Sequence, residues 1–344
     1  MGCLGMEMES YPQRKEIRSF RMNACFSINR IFEKYGLALL NTSSSTVVNL
    51  LDYNAMKIVY SKTFEDYFTM NSHYPNSFKI TMKRGKLVRE VFCKIQSKDK
   101  ITETDNILTT EEANKGDPIE YFDNGTVLLV KGKAYGMDKT FQLVKENNLD
   151  SPLKEAKVPY NTYASVCKND KYVVIVNYKY YEASREIDTL SGFYFELWDF
   201  KELKKIKEFK NNKPGEYPFT KGKFIDDKTC IISISERILI VDVDSFSIKN
   251  EFSLSNGRQS YRTCLFHILD HDTFLVLSKQ LLYKMKTDGT ILEQSESKGG
   301  YESESFSEGF FINNGKEILH SGGPINRAVV FSTELPKETK ETKN

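Results

Sequence analysis

The residues able to perform acid–base or metal chemistry are sparse in this sequence. The 344-residue chain has four histidines, which are His73, His267, His271 and His320. His267 lies in the apolar run CLFHIL, where a hydrogen-bonded core histidine is the expected role. His320, in ILHSGGP, is predicted to end a strand before a glycine turn, although the position also suits a residue facing a central channel. No G-x-S-x-G, P-loop, H-E-x-x-H or G-x-G-x-x-G motif occurs, so we predict no enzyme, no metal site and no cofactor.

The adjacent carboxylates Asp226 and Asp227 could be proposed as an acid–base pair. Neighbouring residues on a strand point to opposite faces, however, and tight hairpin turns favour aspartate. This pair is therefore predicted to form a turn.

Tyrosine and arginine side chains, which dominate binding hot spots, concentrate in a few segments. The segment NYKYYEASREIDTLSG contains Tyr178, Tyr180, Tyr181 and Arg185. A second segment, GRQSYRT, contains Arg258, Tyr261 and Arg262. The guanidinium groups of its two arginines could bind a phosphate or carboxylate. Tyr301 lies in a third segment. These residues predict a surface that binds a protein or a peptide.

The first residues, Met-Gly-Cys, permit lipidation if Met1 is removed. Gly2 could carry a myristoyl chain and Cys3 a palmitoyl chain, and two chains give stable membrane attachment. Met6 stands where the myristoylation motif prefers Ser or Thr. The alternative is an unstructured terminus, so we expect membrane association only if the chain is acylated.

Net charge, cysteine spacing and the absence of long apolar runs argue against nucleic-acid-binding, disulfide-bonded, secreted and membrane-spanning proteins. The chain has 49 Lys and Arg against 47 Asp and Glu, a net charge of +2, which gives no basic footprint for nucleic acid. Its six cysteines lie far apart and are predicted to be reduced, mostly buried thiols. Without an apolar signal region or an apolar run of membrane-spanning length, the default expectation is a cytoplasmic location.

A repeat organises the chain and must position the side chains described above. A polar turn followed at once by a short β-branched or aliphatic run occurs seven times, near residues 36, 85, 125, 171, 228, 272 and 315. A period in the forties with almost no helical periodicity is typical of four-stranded propeller blades, and each turn is predicted to join strands a and b. Four tyrosines, Tyr74, Tyr160, Tyr217 and Tyr261, each precede the turn of their own repeat by 11 residues.

The remaining strands follow from the same alignment. An alternating strand c and a charged strand d follow strand b in several repeats, as in FYFELWDF and LKKIKEFKN. The last repeat lacks strand d, and RKEIRSFRM, residues 14–22, resembles one and is predicted to complete that blade. Residues 1–11 are predicted to be flexible and 336–344 to form a disordered charged tail. In the second repeat (86–117), the charged span 93–117 is predicted to be a c–d loop or a frayed edge.

Repeat length, strand number, the N-terminal closing strand and the LWDF run of Leu197 to Phe200 resemble WD-repeat propellers over residues 12–335. The Gly-His pair of that family is absent, Trp-Asp occurs once, at Trp198 and Asp199, and Asp52 and Asp242 are partial counterparts. The resemblance implies an all-β, seven-bladed propeller of four-stranded antiparallel blades. It also implies that the d–a and b–c loops share one face, where partners bind. The four in-register tyrosines, Tyr74 among them, are predicted to lie in the d–a loops.

Three hypotheses for function stay open. The first is a non-catalytic scaffold, a monomeric propeller within a complex, that binds a protein through its d–a and b–c loops. Here the residues from Tyr178 to Arg185 provide specificity because only one repeat has this insertion, whereas the in-register tyrosines are predicted to cap blade ends. The second is a propeller enzyme or small-ligand binder with a channel site, and the third is a lipid-anchored adaptor.

Overall fold

The structure, a computed structural model, describes most of the chain in short ranges. They are residues 11–21, 28–32, 34–74, 77–97, 100–109, 117–121, 126–132, 139–145, 156–158, 162–179, 192–211, 220–254, 263–297, 308–321 and 327–335. Within these ranges all regular structure is β-strand, arranged in seven four-stranded antiparallel sheets. No helix in them has the length and apolar character needed to cross a membrane.

The chain divides into two compact units, of which the larger is residues 28–264. It contains five sheets, each built from four strands that are consecutive in sequence. The strands are numbered in chain order, and the first of these sheets consists of β2 (Ile28–Ile31), β3 (Tyr35–Asn41), β4 (Thr46–Asp52) and β5 (Lys57–Phe64). The second and third are β6 (Thr69–Tyr74), β7 (Ser77–Arg84), β8 (Leu87–Ser97) and β9 (Lys100–Thr109), then β10 (Asp117–Tyr121), β11 (Thr126–Gly132), β12 (Lys139–Lys145) and β13 (Ala156–Val158). The fourth and fifth are β14 (Thr162–Lys168), β15 (Tyr172–Lys179), β16 (Gly192–Asp199) and β17 (Lys204–Asn211), then β18 (Thr220–Phe224), β19 (Thr229–Ile234), β20 (Arg237–Asp242) and β21 (Ser247–Ser253).

The smaller unit comprises residues 1–27 and 265–344. Its sixth sheet, which begins at the boundary between the units, is β22 (Cys264–Ile268), β23 (Thr273–Ser278), β24 (Leu281–Lys286) and β25 (Ile291–Glu296). The seventh sheet has the order β1-β28-β27-β26, from β26 (Glu308–Ile312), β27 (Glu317–Ser321), β28 (Arg327–Ser332) and the N-terminal strand β1 (Glu16–Arg21). The predicted pairing of the N-terminal strand with the last repeat is therefore present, with Arg18 opposite Val330 and Phe20 opposite Ala328.

Apolar runs form the central strands of each sheet. In the fifth sheet, TCIISI (β19) and RILIVD (β20) are buried almost throughout, as expected of strands covered on both faces. Strand β21, SIKNEFS, lies at the sheet edge and is largely exposed, and its lysine disfavours pairing with other chains. In the larger unit one core cluster lies between the fourth and fifth sheets and another between the first and second.

Repeated turn chemistry explains why the hairpins align. Asn169, Asp226 and Asp270 each accept hydrogen bonds from the main-chain N–H groups two and three residues later, which closes the a–b turns of the fourth, fifth and sixth sheets. Asp226 thus performs the predicted turn role. Its neighbour Asp227 accepts from the Lys171 ammonium at 2.8 Å.

The c–d turns use aspartate in the same way. Asp52 and Asp199 each accept two main-chain N–H bonds, and Asp242 accepts the main-chain N–H and the hydroxyl of Ser245. The bonds from Ser245 lower the pKa of Asp242. A residue with positive φ follows four positions after each aspartate, at Met56, Leu203 and Phe246. The single Trp-Asp dipeptide and its two partial counterparts are therefore equivalent turn positions.

The second sheet corrects three predictions. Gly85 lies in the turn between β7 and β8, which are strands b and c, so it does not join strands a and b. Strand β6 ends at Tyr74, which pairs with Ser77 across the a–b hairpin, so Tyr74 is not in a d–a loop. The charged span 93–117 is also not a loop throughout, because β8 runs to Ser97 and Lys100–Thr109 forms strand d.

The other predicted a–b turns lie where expected, between the first two strands of their sheets, with Gly36 at the start of β3. Gly125 lies outside the described residues. So do most of residues 1–11 and the tail 336–344, and their predicted flexibility stays a prediction.

An ion pair joins β1 to β27 across the intervening strand β28. Both Nη atoms of Arg18 donate to the Glu317 carboxylate, at 2.9 and 2.6 Å, and this contact lowers the pKa of Glu317. A carboxyl whose pKa is lower in the folded state contributes stability that is present above its unfolded pKa and lost as pH falls through the folded value.

We expect Arg18→Gln to lower the free energy of unfolding by about 1 kcal/mol at neutral pH, because the pair is mostly buried. This difference from the wild type should shrink as pH falls below the usual glutamate pKa of about 4.3. Urea denaturation at neutral and acidic pH measures both values. Arg84→Gln is the control, since Arg84 pairs with Asp66 but its side chain is 74% exposed. A difference that is independent of pH would contradict the assignment.

Candidate functional site

The predicted binding face corresponds to one end of every sheet. In a four-stranded antiparallel sheet the start of strand a, the end of b, the start of c and the end of d lie at the same end, which we term the loop end. The d–a and b–c connections both leave from it. The a–b and c–d turns leave from the opposite end, termed the turn end.

The fourth sheet is unusual at its loop end. Residues 180–191 connect β15 to β16, whereas Ser235 and Glu236 alone connect β19 to β20 in the fifth sheet. Only Lys279 and Gln280 make the same connection in the sixth. The predicted insertion is therefore present as a long b–c connection, which we call the fourth-sheet insertion.

Tyr178 belongs to the base of this insertion, not to the loop itself. It is the penultimate residue of β15, is half-buried, and packs against the core between the fourth and fifth sheets. Its ring centroid lies 4.9 Å from that of Phe193, the second residue of β16. The next pair, Lys179 and Gly192, closes the ladder, and Gly192 has a φ of 150°, which favours glycine. The sequence prediction placed Tyr178 in the loop, whereas the structure places it in β15, packed against the core, and its interaction role stays a prediction.

Arg237 joins the loop ends of the fourth and fifth sheets. It is the first residue of β20, and its side chain is only 9% exposed. One Nη donates to Asn211 Oδ1, at the end of β17, over 3.3 Å, and the other lies 3.4 Å from the Glu251 carboxylate. The fourth-sheet insertion thus leaves from a base whose two sheets are tied together by a buried cation.

Sequence analysis missed Arg237. The local signal was a charged Glu236-Arg237 pair immediately before the buried run ILIVD, where a two-residue hairpin turn leaves little room to expose both side chains. The partner Asn211 is distant in sequence, so the bridge itself could not be predicted.

Most predicted binding residues lie outside the described part of the chain. Tyr180, Tyr181 and Arg185 fall in the fourth-sheet insertion, and Arg258, Tyr261, Arg262 and Tyr301 fall in connections between sheets. Tyr160 and Tyr217, predicted to cap blade ends, also lie in such connections. Gly2 and Cys3 also lie outside it. The roles of these residues stay predictions.

The described histidines occupy structural positions. His320 is fully buried, and its Nε2 lies 3.0 Å from Ser297 Oγ. Gly309 makes room for this ring, because a Cβ at that position would lie 2.6 Å from His320 Cε1. His320 is therefore a core residue and does not face a channel. His267 is half-buried against Phe311, and His271 is exposed in the a–b turn of the sixth sheet.

A buried cation, Arg14, lies beside Ser297, the residue that contacts His320. Its guanidinium donates to the hydroxyls of Ser295 and Ser297 and to the Gln280 carbonyl, which fastens the segment before β1 to the sixth sheet. Burial lowers the pKa of Arg14 to about 9, so the group remains charged at neutral pH. These contacts anchor the N-terminal segment to the sixth sheet. In the described ranges no three His, Cys, Asp or Glu side chains cluster in a way that could hold a metal ion.

Comparisons with known proteins agree with this architecture. No protein-family model matches the sequence, and a comparison with curated proteins finds no match. Among solved structures, Raptor from Chaetomium thermophilum is similar with a TM-score of 0.57 at 10% identity, over 94% of this chain and 29% of Raptor. The Dos1 propeller is similar with a TM-score of 0.54 at 10% identity, over 94% of this chain and 82% of that chain. With seven four-stranded antiparallel sheets and these structural neighbours, the chain has the fold of a WD-repeat-like β-propeller.

Proposed function

We propose that this protein is a non-catalytic scaffold that binds a protein or peptide partner at the loop end of its fourth and fifth sheets. The fourth-sheet insertion provides specificity, with Tyr180, Tyr181 and Arg185 as the contact residues. The observation that carries this proposal is the contrast between the long 180–191 connection and the two-residue connections of the fifth and sixth sheets. A non-repeated loop on a repeated scaffold is where recognition residues are expected.

The base of the insertion supports the proposal because it is fixed. The Tyr178–Phe193 contact holds the two ends of the connection together, and Arg237 ties the adjacent strand β17 to the fifth sheet, so less conformational entropy is lost when the loop binds. Tyrosine and arginine then offer apolar area and directional hydrogen bonds on that base.

A non-catalytic role is favoured by the positions of the described histidines. His320 is fully buried beside Ser297, and His267 is half-buried against Phe311, so both rings pack within the smaller unit. Raptor and the Dos1 propeller share the fold at 10% identity, which supports the scaffold architecture and says nothing of a shared partner.

Affinity capture from native extract tests the proposal with two triple variants. The loop variant carries Tyr180→Ala, Tyr181→Ala and Arg185→Ala. The control carries Lys171→Ala, Asp227→Ala and Lys228→Ala at the turn end, where these side chains are 57 to 74% exposed. We expect both to unfold within about 0.5 kcal/mol of the wild type, because exposed substitutions cost little.

The same partner should be captured by the wild type and the control, and its recovery should fall at least about tenfold with the loop variant, since one hot spot is worth about 2 kcal/mol. Equal recovery with all three proteins would show that the insertion is not the binding element. Loss of the partner from the control alone would move the interface to the turn end.

A further inference from the structure

Two buried thiols meet between the fourth and fifth sheets. Cys167, the sixth residue of β14, and Cys230, the second residue of β19, have their Sγ atoms 3.2 Å apart. They are separated by 63 positions in sequence, and both are present as free thiols. The distance is that of a close non-bonded contact, longer than a disulfide bond of about 2.0 Å.

A glycine in the neighbouring strand makes this approach possible. Gly222 lies in β18, and a Cβ at that position would be 2.8 Å from Cys167 Sγ and 3.4 Å from Cys167 Cβ. Because Gly222 has no side chain, the Cys167 thiol occupies the space beside β18 and reaches the thiol on β19. The juxtaposition therefore depends on three strands, β14, β18 and β19.

The two thiols differ in access. Cys167 is 7% exposed and Cys230 is fully buried. Burial, and next the neighbouring Cys167, raises the pKa of the Cys230 thiol, so it stays protonated at neutral pH. A small oxidant would thus meet Cys167 first, with Cys230 placed behind it to complete a bond.

We propose that Cys167 and Cys230 form a redox modification site at which hydrogen peroxide produces a disulfide bond between the fourth and fifth sheets. The Cys167 thiolate attacks one peroxide oxygen, the O–O bond breaks, and water leaves after protonation of the released hydroxide. Cys230 Sγ then attacks the sulfenic sulfur of Cys167, and the displaced hydroxide takes the Cys230 proton. Overall, two thiols and one peroxide give one disulfide and two waters, so the sulfurs are oxidised and the peroxide oxygens are reduced.

Peptide mapping of the native, full-length protein tests this site. The reduced protein is treated with hydrogen peroxide, unreacted thiols are alkylated in denaturant, and the tryptic peptides are separated without reductant. Trypsin places the two cysteines in different peptides, residues 158–168 and 229–237. We expect these peptides to be joined, with the mass of both less two hydrogen atoms, and to separate on reduction.

Three variants provide the controls. Cys167→Ser should abolish the linked peptide, Cys93→Ser should retain it because Cys93 is buried in a different sheet, and Gly222→Ala should lower its yield several-fold by displacing the Cys167 thiol. The wild-type map decides the question even if a variant fails to fold. The proposal is overturned if peroxide-treated native protein leaves both cysteines alkylatable, or oxidises Cys167 to a sulfinic acid without joining the peptides.

Discussion

Deletion of residues 1–21 is expected to leave the protein unfolded or insoluble. The deletion removes β1, the fourth strand of the seventh sheet, together with the Arg14 anchor. It would leave β28, whose residues Ala328 to Phe331 are fully buried, as an open apolar edge. The loss should amount to several kcal/mol, a large part of the 5–15 kcal/mol that typically stabilises a folded protein.

Soluble yield and circular dichroism of the purified protein measure this effect. Deletion of residues 1–10 is the matched control, because Arg14 and β1 both remain, and it should unfold within about 0.5 kcal/mol of the wild type. If the longer deletion also gave a soluble protein with an unchanged thermal midpoint, β1 would not be an integral strand of the seventh sheet.

Gly315→Ala is expected to be among the most destabilising single substitutions in the smaller unit. Gly315 has a φ of 73°, in the left-handed region, and a Cβ there would overlap the His267 ring. The backbone penalty of about 1–2 kcal/mol and the displacement of a half-buried ring should together cost about 3 kcal/mol or more. Chemical denaturation measures the change.

Gly85→Ala separates the two contributions. Gly85 also has a positive φ, of 58°, but a Cβ there would meet nothing within 4 Å, so only the backbone penalty of about 1–2 kcal/mol applies. Combining Gly315→Ala with His267→Ala should recover about 1 kcal/mol relative to the sum of the single changes. Equal costs for Gly85→Ala and Gly315→Ala, or strict additivity with His267→Ala, would mean that the ring contact is unimportant.

The sequence predicted the sheets wherever turn chemistry and strand alternation agree. Asp226 and Asp270 mark a–b turns because a short carboxylate accepts the main-chain N–H groups of the turn, and the charged RKEIRSFRM run was recognised as a fourth strand. The second sheet was misnumbered because the Gly85 turn is as strong a turn signal as any a–b turn. Local propensity identifies a hairpin but does not say which two strands of the sheet it joins.

The position of the candidate site could be predicted from the sequence, whereas most of its side-chain contacts could not. The insertion is visible as an excess of residues between two strands, but Tyr178 was assigned to the loop although Val174, Val176 and Tyr178 continue one alternating face. Arg237–Asn211 and Cys167–Cys230 join different sheets, and such pairs depend on packing between sheets that a single sequence does not specify.

Site-specific photo-crosslinking tests directly whether the fourth-sheet insertion contacts a protein partner. A benzophenone amino acid replaces Tyr181 in one sample and Asp227, at the turn end of the fifth sheet, in another, and cross-linked proteins are identified after irradiation in native extract. We expect a discrete partner to be cross-linked from position 181 and to be absent from position 227. A partner cross-linked only from position 227, or the same set of proteins from both positions, would contradict it.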